Sequence, residues 1–323
     1  MDRSTISTIY GLAMKPVDKS PTWYIAGIGA MGGLLANRFT YAGHKVNLLL
    51  KSEAQLLTYQ QSKLTVMTEN SEFSCHPPAI DIEHLNNTCI HYLICCVKAY
   101  DITKLLRRLA PHLNEKSIII LIHNGLGVID EIKAQLPKLR IISGSSTIGA
   151  YLESPFTIRA FLDGNLYLGD SVGQFKGEQI ETIRTTFQAA KLPFQWEEDI
   201  GTMLWEKFAL NCSVNILTAL LTCKNGDLLH HIDLLRQITH EIAQVVNAFD
   251  HSMSAEQLFL KVTRLLQSVG NNYSSMYKDV RNNRKTELRY LNEHLIALAQ
   301  QKKIATPFNI ELLKQFYAKY PVL

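Results

Sequence analysis

Residues 22–52 read TWYIAGIGAMGGLLANRFTYAGHKVNLLLKS, in the order strand, glycine turn, helix, strand. Residues 23–26 are a short apolar run, and Gly27-Ile28-Gly29-Ala30-Met31-Gly32 follows at once. Residues 32–41 read as helix and end at Ala42-Gly43, and residues 45–50 are the next strand. In such a turn the first glycine permits tight reversal and the second lets the backbone approach a pyrophosphate. The third lets helix and strand pack closely, and the helix N-terminus faces the phosphates. A lone GxGxxG is weak, but this one follows a strand, opens a helix and reaches a second strand within ~30 residues, the context that dinucleotide binding requires.

The end of that second strand discriminates between cofactors. An acid there holds a ribose 2′-hydroxyl. Here the chain reads Leu50-Lys51-Ser52-Glu53. Lys51 favours a 2′-phosphate and hence NADPH, while Glu53 leaves NAD open. Further strands are expected at 90–97, 117–122 and 139–142, with helices at 101–113 and 128–136. This alternation argues a parallel sheet with helices on both faces. Val97-Lys98-Ala99 and His123-Asn124-Gly125-Leu126-Gly127 follow two of the strands, where open α/β sheets bind ligands. Asn124 there can reach a ligand or simply make a turn. Residues 157–169 read as a hairpin or meander turning at Asp163-Gly164-Asn165, and 191–196 as a last strand.

From Thr202 strand alternation disappears, and helices are expected at 202–222, 228–250, 255–269 and 284–303, with a shorter one near the C-terminus. In the stretch 201–222 Lys207, Asn211 and Asn215 are spaced four apart. At ~100° per residue they share less than a quarter of the helix surface. Thr218 and Thr222 extend the stripe, and most of the remaining circumference is apolar. A helix apolar nearly all round is normally buried. The stripe is either solvated or faces a cleft, where Lys207 would meet a substrate.

Of 323 residues, 46% are hydrophobic and 19% charged, which suits two ordinary soluble cores. The formal charge of +4 comes with no long basic run, so nucleic acid is not an expected partner. No apolar stretch is long enough to span a membrane. The six cysteines form no CxxC pair and suit free thiols in a reducing compartment, hence a cytoplasmic location. No metal-ligand spacing stands out: His240-Glu241 lacks the second histidine of a zinc-binding helix. Residues 1–21 lack the core of a secretory signal and read as a poorly ordered leader, with Met14 as an alternative start. The expected division is leader 1–21, dinucleotide-binding domain 22–199 and helical substrate domain 200–323.

Taken together, these motifs resemble the ketopantoate reductase (2-dehydropantoate 2-reductase) family over roughly residues 22–315. The markers are Gly27–Gly32, Val97-Lys98-Ala99, the His123–Gly127 run, Leu204-Trp205-Glu206-Lys207, Asn211 through Asn215, Asn225-Gly226, and Ser274-Ser275-Met276 through Glu287. The resemblance implies a Rossmann-type α/β N-terminal domain with a mostly parallel sheet, then an all-α C-terminal domain, with the active site between them. It implies NADPH as cofactor and ketopantoate as substrate, in a monomer or homodimer. Gly27, Ile28, Gly29, Ala30, Met31 and Gly32 would hold the pyrophosphate, and Lys51 the 2′-phosphate. Lys98, Asn124 and Ala150 would line the cofactor site. Lys207 would be the proton donor, and Glu287 an acidic residue of the catalytic and cofactor-binding sets, at the junction of cofactor and substrate. Asn124, Asn211, Asn215, Asn225 and Ser275 would bind substrate. Two positions depart from the family: Lys51 stands where arginine is frequent, and Ile216 where some relatives have proline.

Overall fold

Strand β1 (Thr22–Ala26) carries no charge, and four of its five residues are buried. The chain builds outward from it. The computed structural model describes residues 20–321. The leader expected at 1–21, with Met14, lies outside them except for Ser20 and Pro21. After β1 come α1 (Ala30–Tyr41), β2 (Lys45–Leu50), α2 (Glu53–Gln60), β3 (Leu64–Met67), β4 (Glu72–Cys75) and β5 (Ala79–Asp81). Then follow β6 (Tyr92–Cys95), α3 (Ala99–Leu109), β7 (Ile118–Ile122), α4 (Val128–Gln135), β8 (Arg140–Ser146) and β9 (Gly149–Ser154). The first half closes with β10 (Thr157–Phe161), β11 (Leu166–Gly169), α5 (Gly177–Ala189) and β12 (Phe194–Trp196). The second half is helical: α6 (Ile200–Leu221), α7 (Ile232–Asn247), α8 (Ala255–Ser268), α9 (Ser275–Arg281), α10 (Asn292–Gln301) and α11 (Pro307–Lys319).

The main sheet has eight strands in the order β12-β11-β8-β7-β6-β1-β2-β5. It is parallel except where β11 runs antiparallel to β8. Both faces are covered, so its strands read as continuous apolar runs, such as IIILI in β7. The pleat sorts β1: Trp23 and Ile25 join the core under α1 and α5, Tyr24 and Ala26 the core under α3 and α4. Trp23 sits edge-on to Phe39 and Phe187 and leans on Tyr92.

A second sheet, β4-β3-β10-β9, covers the outer side of α1. A Cβ on Gly33 would lie 2.6 Å from Ile158 Cδ1, so glycine lets that sheet approach. Asn37, buried in α1, donates to the carbonyls of Leu64 at 3.0 Å and Phe73 at 2.8 Å. The hairpin or meander expected at 157–169 is therefore corrected. β10 pairs with β9 and β3, whereas β11 pairs with β8 and β12. Ile158 and Ala160 are needed over α1 while Leu166 and Leu168 fill the main sheet's core, so Asp163-Gly164-Asn165 carries the chain between sheets. A Gly164 Cβ would lie 2.3 Å from the Thr147 carbonyl oxygen.

In the helical half, α7, α8, α9 and α11 surround α6. Asp199 starts α6 by accepting from the Thr202 amide at 3.1 Å. Two expected helices are interrupted. Residues 226–230 form a 3-10 turn before α7, with His231 outside helical geometry between them. The helix expected at 284–303 is a 3-10 turn, Leu288–Tyr290, then α10, separated by Leu291 at φ −118° and ψ −107°. Among the described residues, no helix is long and apolar enough to cross a membrane.

Replacing fully buried Trp23 by alanine opens a cavity beneath α1 and α5. Trp23→Ala is expected to cost about 3–5 kcal/mol, read as a lowered midpoint in denaturant titration. A loss under about 1 kcal/mol would mean that the core re-closes around the gap.

Candidate active site

The glycine turn ends β1 with Gly27 at φ +86°, a conformation that a side chain would strain. A Cβ on Gly32 would lie 2.2 Å from the Gly27 carbonyl oxygen, so helix and strand meet there with no room for one. Gly29 differs. Its nearest neighbour to such a Cβ is 4.0 Å away, and the turn opens onto a cleft of about 1190 Å³. Helix α1 has no side-chain cap and no acid in its first turn. Its leading amides and the positive end of its dipole are left for an anion.

The carboxyl ends of β2, β6, β7 and β8 open on the same cleft. There they present Lys51, Lys98, His123 with Asn124, and Ser146. The helical half closes the opposite wall with Lys207 of α6, Ser275 and Asp279 of α9, and Glu287. Glu287 is 5% exposed. It accepts from the Ala99 amide at 3.1 Å, from Asn124 Nδ2 at 3.2 Å and from Lys98 Nζ at 3.4 Å. Helix α3 has no cap from its own N-cap residue, Lys98, so a carboxylate from the other half of the chain takes that place. Lys98 Nζ also donates to Asp279 Oδ2 at 2.6 Å. Burial lowers the Lys98 pKa, but the charges of Glu287 and Asp279 outweigh it and raise the net value. Burial raises Asp279 above the usual carboxylate range, with Lys98 opposing.

Lys207 has different surroundings. Its Nζ donates to the Ser146 carbonyl at 2.9 Å. Burial lowers its pKa to about 8, and only the more remote charge of Glu287 pulls the other way. His123 is held against protonation chiefly by burial, with its Nδ1 3.1 Å from the Asn124 carbonyl oxygen.

Of the residues singled out from sequence, Gly27, Ile28, Gly29, Ala30, Met31, Lys51, Lys98, Asn124, Ala150, Lys207, Ser275 and Glu287 line this one cleft. Gly32 lies buried behind the turn. Asn211, Asn215 and Asn225 do not line it. Asn211 is half-buried one turn beyond Lys207, and Asn215 is buried, its carbonyl accepting from Thr218. Asn225 Nδ2 points to the Val269 carbonyl at 3.4 Å. The stripe expected along α6 thus reaches the cleft only at Lys207. Thr218 Oγ1 also lies 2.7 Å from Ser274 Oγ, a hydroxyl pair that ties α6 to α9, and Thr222 leaves the helix at φ +56° to accept from Lys319. Sequence reasoning gave no role to Asp279, and none to His123 beyond its place in the 123–127 run. The signal for Asp279 was its place four residues after Ser275, on the same face of a helix.

The chain matches the family model described as "Ketopantoate reductase PanE/ApbA" over residues 23–173, and that described as "Ketopantoate reductase PanE/ApbA C terminal" over residues 199–319. It is 31% identical over 300 residues to the 2-dehydropantoate 2-reductase of Vibrio cholerae, covering 90% of this chain and 95% of that protein. It is 30% identical over 296 residues to that of Escherichia coli O157:H7, covering 91% and 94%. Among solved structures, a ternary complex of D-mandelate dehydrogenase with NADH and anilino(oxo)acetate superposes with a TM-score of 0.83 at 21% identity, covering 93% and 98%. The 2-dehydropantoate 2-reductase of Methylococcus capsulatus gives 0.76 at 22% identity, covering 93% and 96%. At these identities the structural likeness shows the fold alone.

Removing the Lys98 ammonium would leave Asp279 and Glu287 buried together without it. Lys98→Met is expected to cost about 2–4 kcal/mol at neutral pH, discounted because Lys98 is partly exposed. A carboxyl whose folded pKa lies above its unfolded one binds extra protons when folded, so the deficit shrinks as pH falls through the raised Asp279 value. Urea titrations at neutral pH and near pH 5 check this, and a deficit independent of pH would contradict it.

Proposed function

The chain belongs to the ketopantoate reductase family, a family of nicotinamide-dependent oxidoreductases, and on that premise we propose that it reduces 2-dehydropantoate to pantoate, with NADPH as cofactor and Lys207 as proton donor. The observation that carries the reading is the half-buried Lys207, whose ammonium donates to the Ser146 backbone carbonyl in a cleft that begins at the glycine turn.

The residues fit a dinucleotide. The turn has room beside Gly29, and the uncapped N-terminus of α1 offers amides to a pyrophosphate. Lys51 at the end of β2, in place of an acid, supports NADPH over NADH. When bound, the nicotinamide supplies the hydride that reduces the C2 carbonyl. The chain's own groups supply the rest. A lysine with a pKa of about 8 is protonated on most molecules at neutral pH, yet yields its proton readily. Lys207 stabilises the negative charge that the ketone oxygen acquires and then transfers its proton to it, giving the alcohol. Asn124 and Ser275 offer hydrogen bonds that orient the substrate, and Glu287 holds Asn124 and the start of α3 in place. Asn211, Asn215 and Asn225 belong to the proposed substrate set by resemblance; reaching a ligand would require them to approach the cleft. The division into a cofactor-binding part, 22–199, and a substrate-binding part, 200–323, is part of the same proposal.

The substrate is tested by following cofactor oxidation with ketopantoate beside 2-oxoisovalerate, oxaloacetate and 2-oxo-2-phenylacetate, each with NADPH and with NADH. Ketopantoate with NADPH is expected to give the highest kcat/KM. A higher value for another oxo acid would reassign the substrate and leave the family membership standing. Lys207→Ala, folded by circular dichroism, is expected to lose roughly 10²–10⁴-fold in kcat with NADPH binding little changed. Because the donor must carry its proton, wild-type kcat for reduction should fall as pH rises through about 8. A flat profile, or a folded Lys207→Ala retaining more than about a tenth of wild-type kcat, would remove Lys207 from this role.

A further inference from the structure

The cleft has a second end, beyond the glycine turn from Lys207, and cations gather there. Lys51 at the end of β2 and Lys104 and Arg108 of α3 line it together, over an apolar floor that includes Leu49 and Leu105. Lys104 and Arg108 are four residues apart, so one face of α3 presents both. The ammonium groups of Lys51 and Lys104 have no ion-pair or hydrogen-bond partner among the described residues. Arg108 is tethered. It donates to Glu83, in the 3-10 turn Ile82–His84 that follows β5, and the Glu83 amide is itself held by Asp81 Oδ1 at 3.2 Å. This contact links α3 to the sheet edge beside β2 while leaving other guanidinium donors to spare. The backbone after β2 is also ordered, the Lys51 amide donating to Gln55 Oε1 at 3.0 Å. Asp101, one turn earlier on the same face of α3, lines the cleft beside these cations.

We propose that Lys104 and Arg108 join Lys51 as the recognition site for the 2′-phosphate of the cofactor, so that α3 as well as the end of β2 sets the preference for NADPH over NADH. The inference rests on the NADPH reading above. A lysine at the strand end is a single flexible point charge, which discriminates weakly on its own. A phosphomonoester carries nearly two charges at neutral pH. Two further cations from a second element, one with a fork of donors, supply the charge and the geometry that Lys51 alone lacks.

The test is fluorescence titration of wild type and of the double variant Lys104→Ala/Arg108→Ala with NADPH and with NADH. Adenosine 2′,5′-bisphosphate and 5′-AMP serve as competing probes that lack the nicotinamide. Lys104 is exposed and Glu83, the partner of Arg108, is 67% exposed, so the fold should survive; Lys104→Ala alone replaces the double variant if melting shows otherwise. The Kd for NADPH is expected to rise about tenfold or more while that for NADH stays within about twofold, as for a lost charge-assisted contact. The bisphosphate should weaken in parallel with NADPH, and 5′-AMP should not. For Lys104→Ala alone the same selective loss is expected at about threefold. Unchanged NADPH binding, or equal losses for both cofactors, overturns the inference while the wild-type preference stands. A wild type that binds NADH as tightly as NADPH overturns the inference and the NADPH reading together, and this shows before any variant is made.

Discussion

The carboxylate of Glu287 is the constraint around which the two halves of the molecule are arranged. A charge this deeply buried is tolerable only with several partners. Its partners are the first amide of α3, the Lys98 ammonium and the Asn124 amide group, all at carboxyl ends of neighbouring parallel strands. To reach them, the backbone around Glu287 must come very close to the sheet. The loop after β7 permits this: Gly125 has φ +87°, and a Cβ there would lie 2.3 Å from the Tyr290 carbonyl oxygen. The Leu126 amide then donates to that same oxygen at 3.0 Å. Glu287 fastens the helical half at this corner, and Lys207 ties α6 to the end of β8 through the Ser146 carbonyl.

Two lysines in that cleft show how surroundings divide one residue type into two kinds of group. Lys98 is partly exposed beside two buried carboxylates, and their charges more than offset its desolvation. It keeps its proton and ties the strand ends to α9. Lys207 is half-buried beside a carbonyl dipole, with a carboxylate only at longer range, so desolvation prevails. It holds its proton loosely. A structural ammonium and an acidic one thus share a site because the nearest acids lie around one of them.

Much of this was legible from short-range pattern. Continuous apolar runs between glycine turns gave away the parallel sheet, since strands buried on both faces have no polar side to show. The apolar circumference of residues 201–222 betrayed a buried helix, while its lysine stripe left solvent and cleft both open. The reading of 157–169 as a hairpin or meander failed because two apolar strands joined by Asp-Gly-Asn look alike whether they pair or part. The second sheet was missed for a similar reason. Gly33 and Asn37, which receive it, are ordinary residues in a helix until Ile158, Leu64 and Phe73 arrive from far along the chain.

The sequence by itself determined the Rossmann-type first half and the helical second half; that the glycine turn, Lys98, Asn124, Lys207 and Glu287 gather at one place was what the family resemblance implied. Periodicity, turn chemistry and motif spacing are local, and they suffice for elements and for the strand ends where ligands bind. Only the tertiary structure decided how far the polar stripe of α6 reaches the cleft. Thr218 is taken by Ser274, Thr222 by Lys319, and Asn211 and Asn215 stand outside the lining. It alone revealed Asp279 as the partner of Lys98, 181 positions away, and set Lys104 and Arg108 beside Lys51. Electrostatic partnership depends on distance and burial in three dimensions, and neither is written in the spacing of residues along a chain.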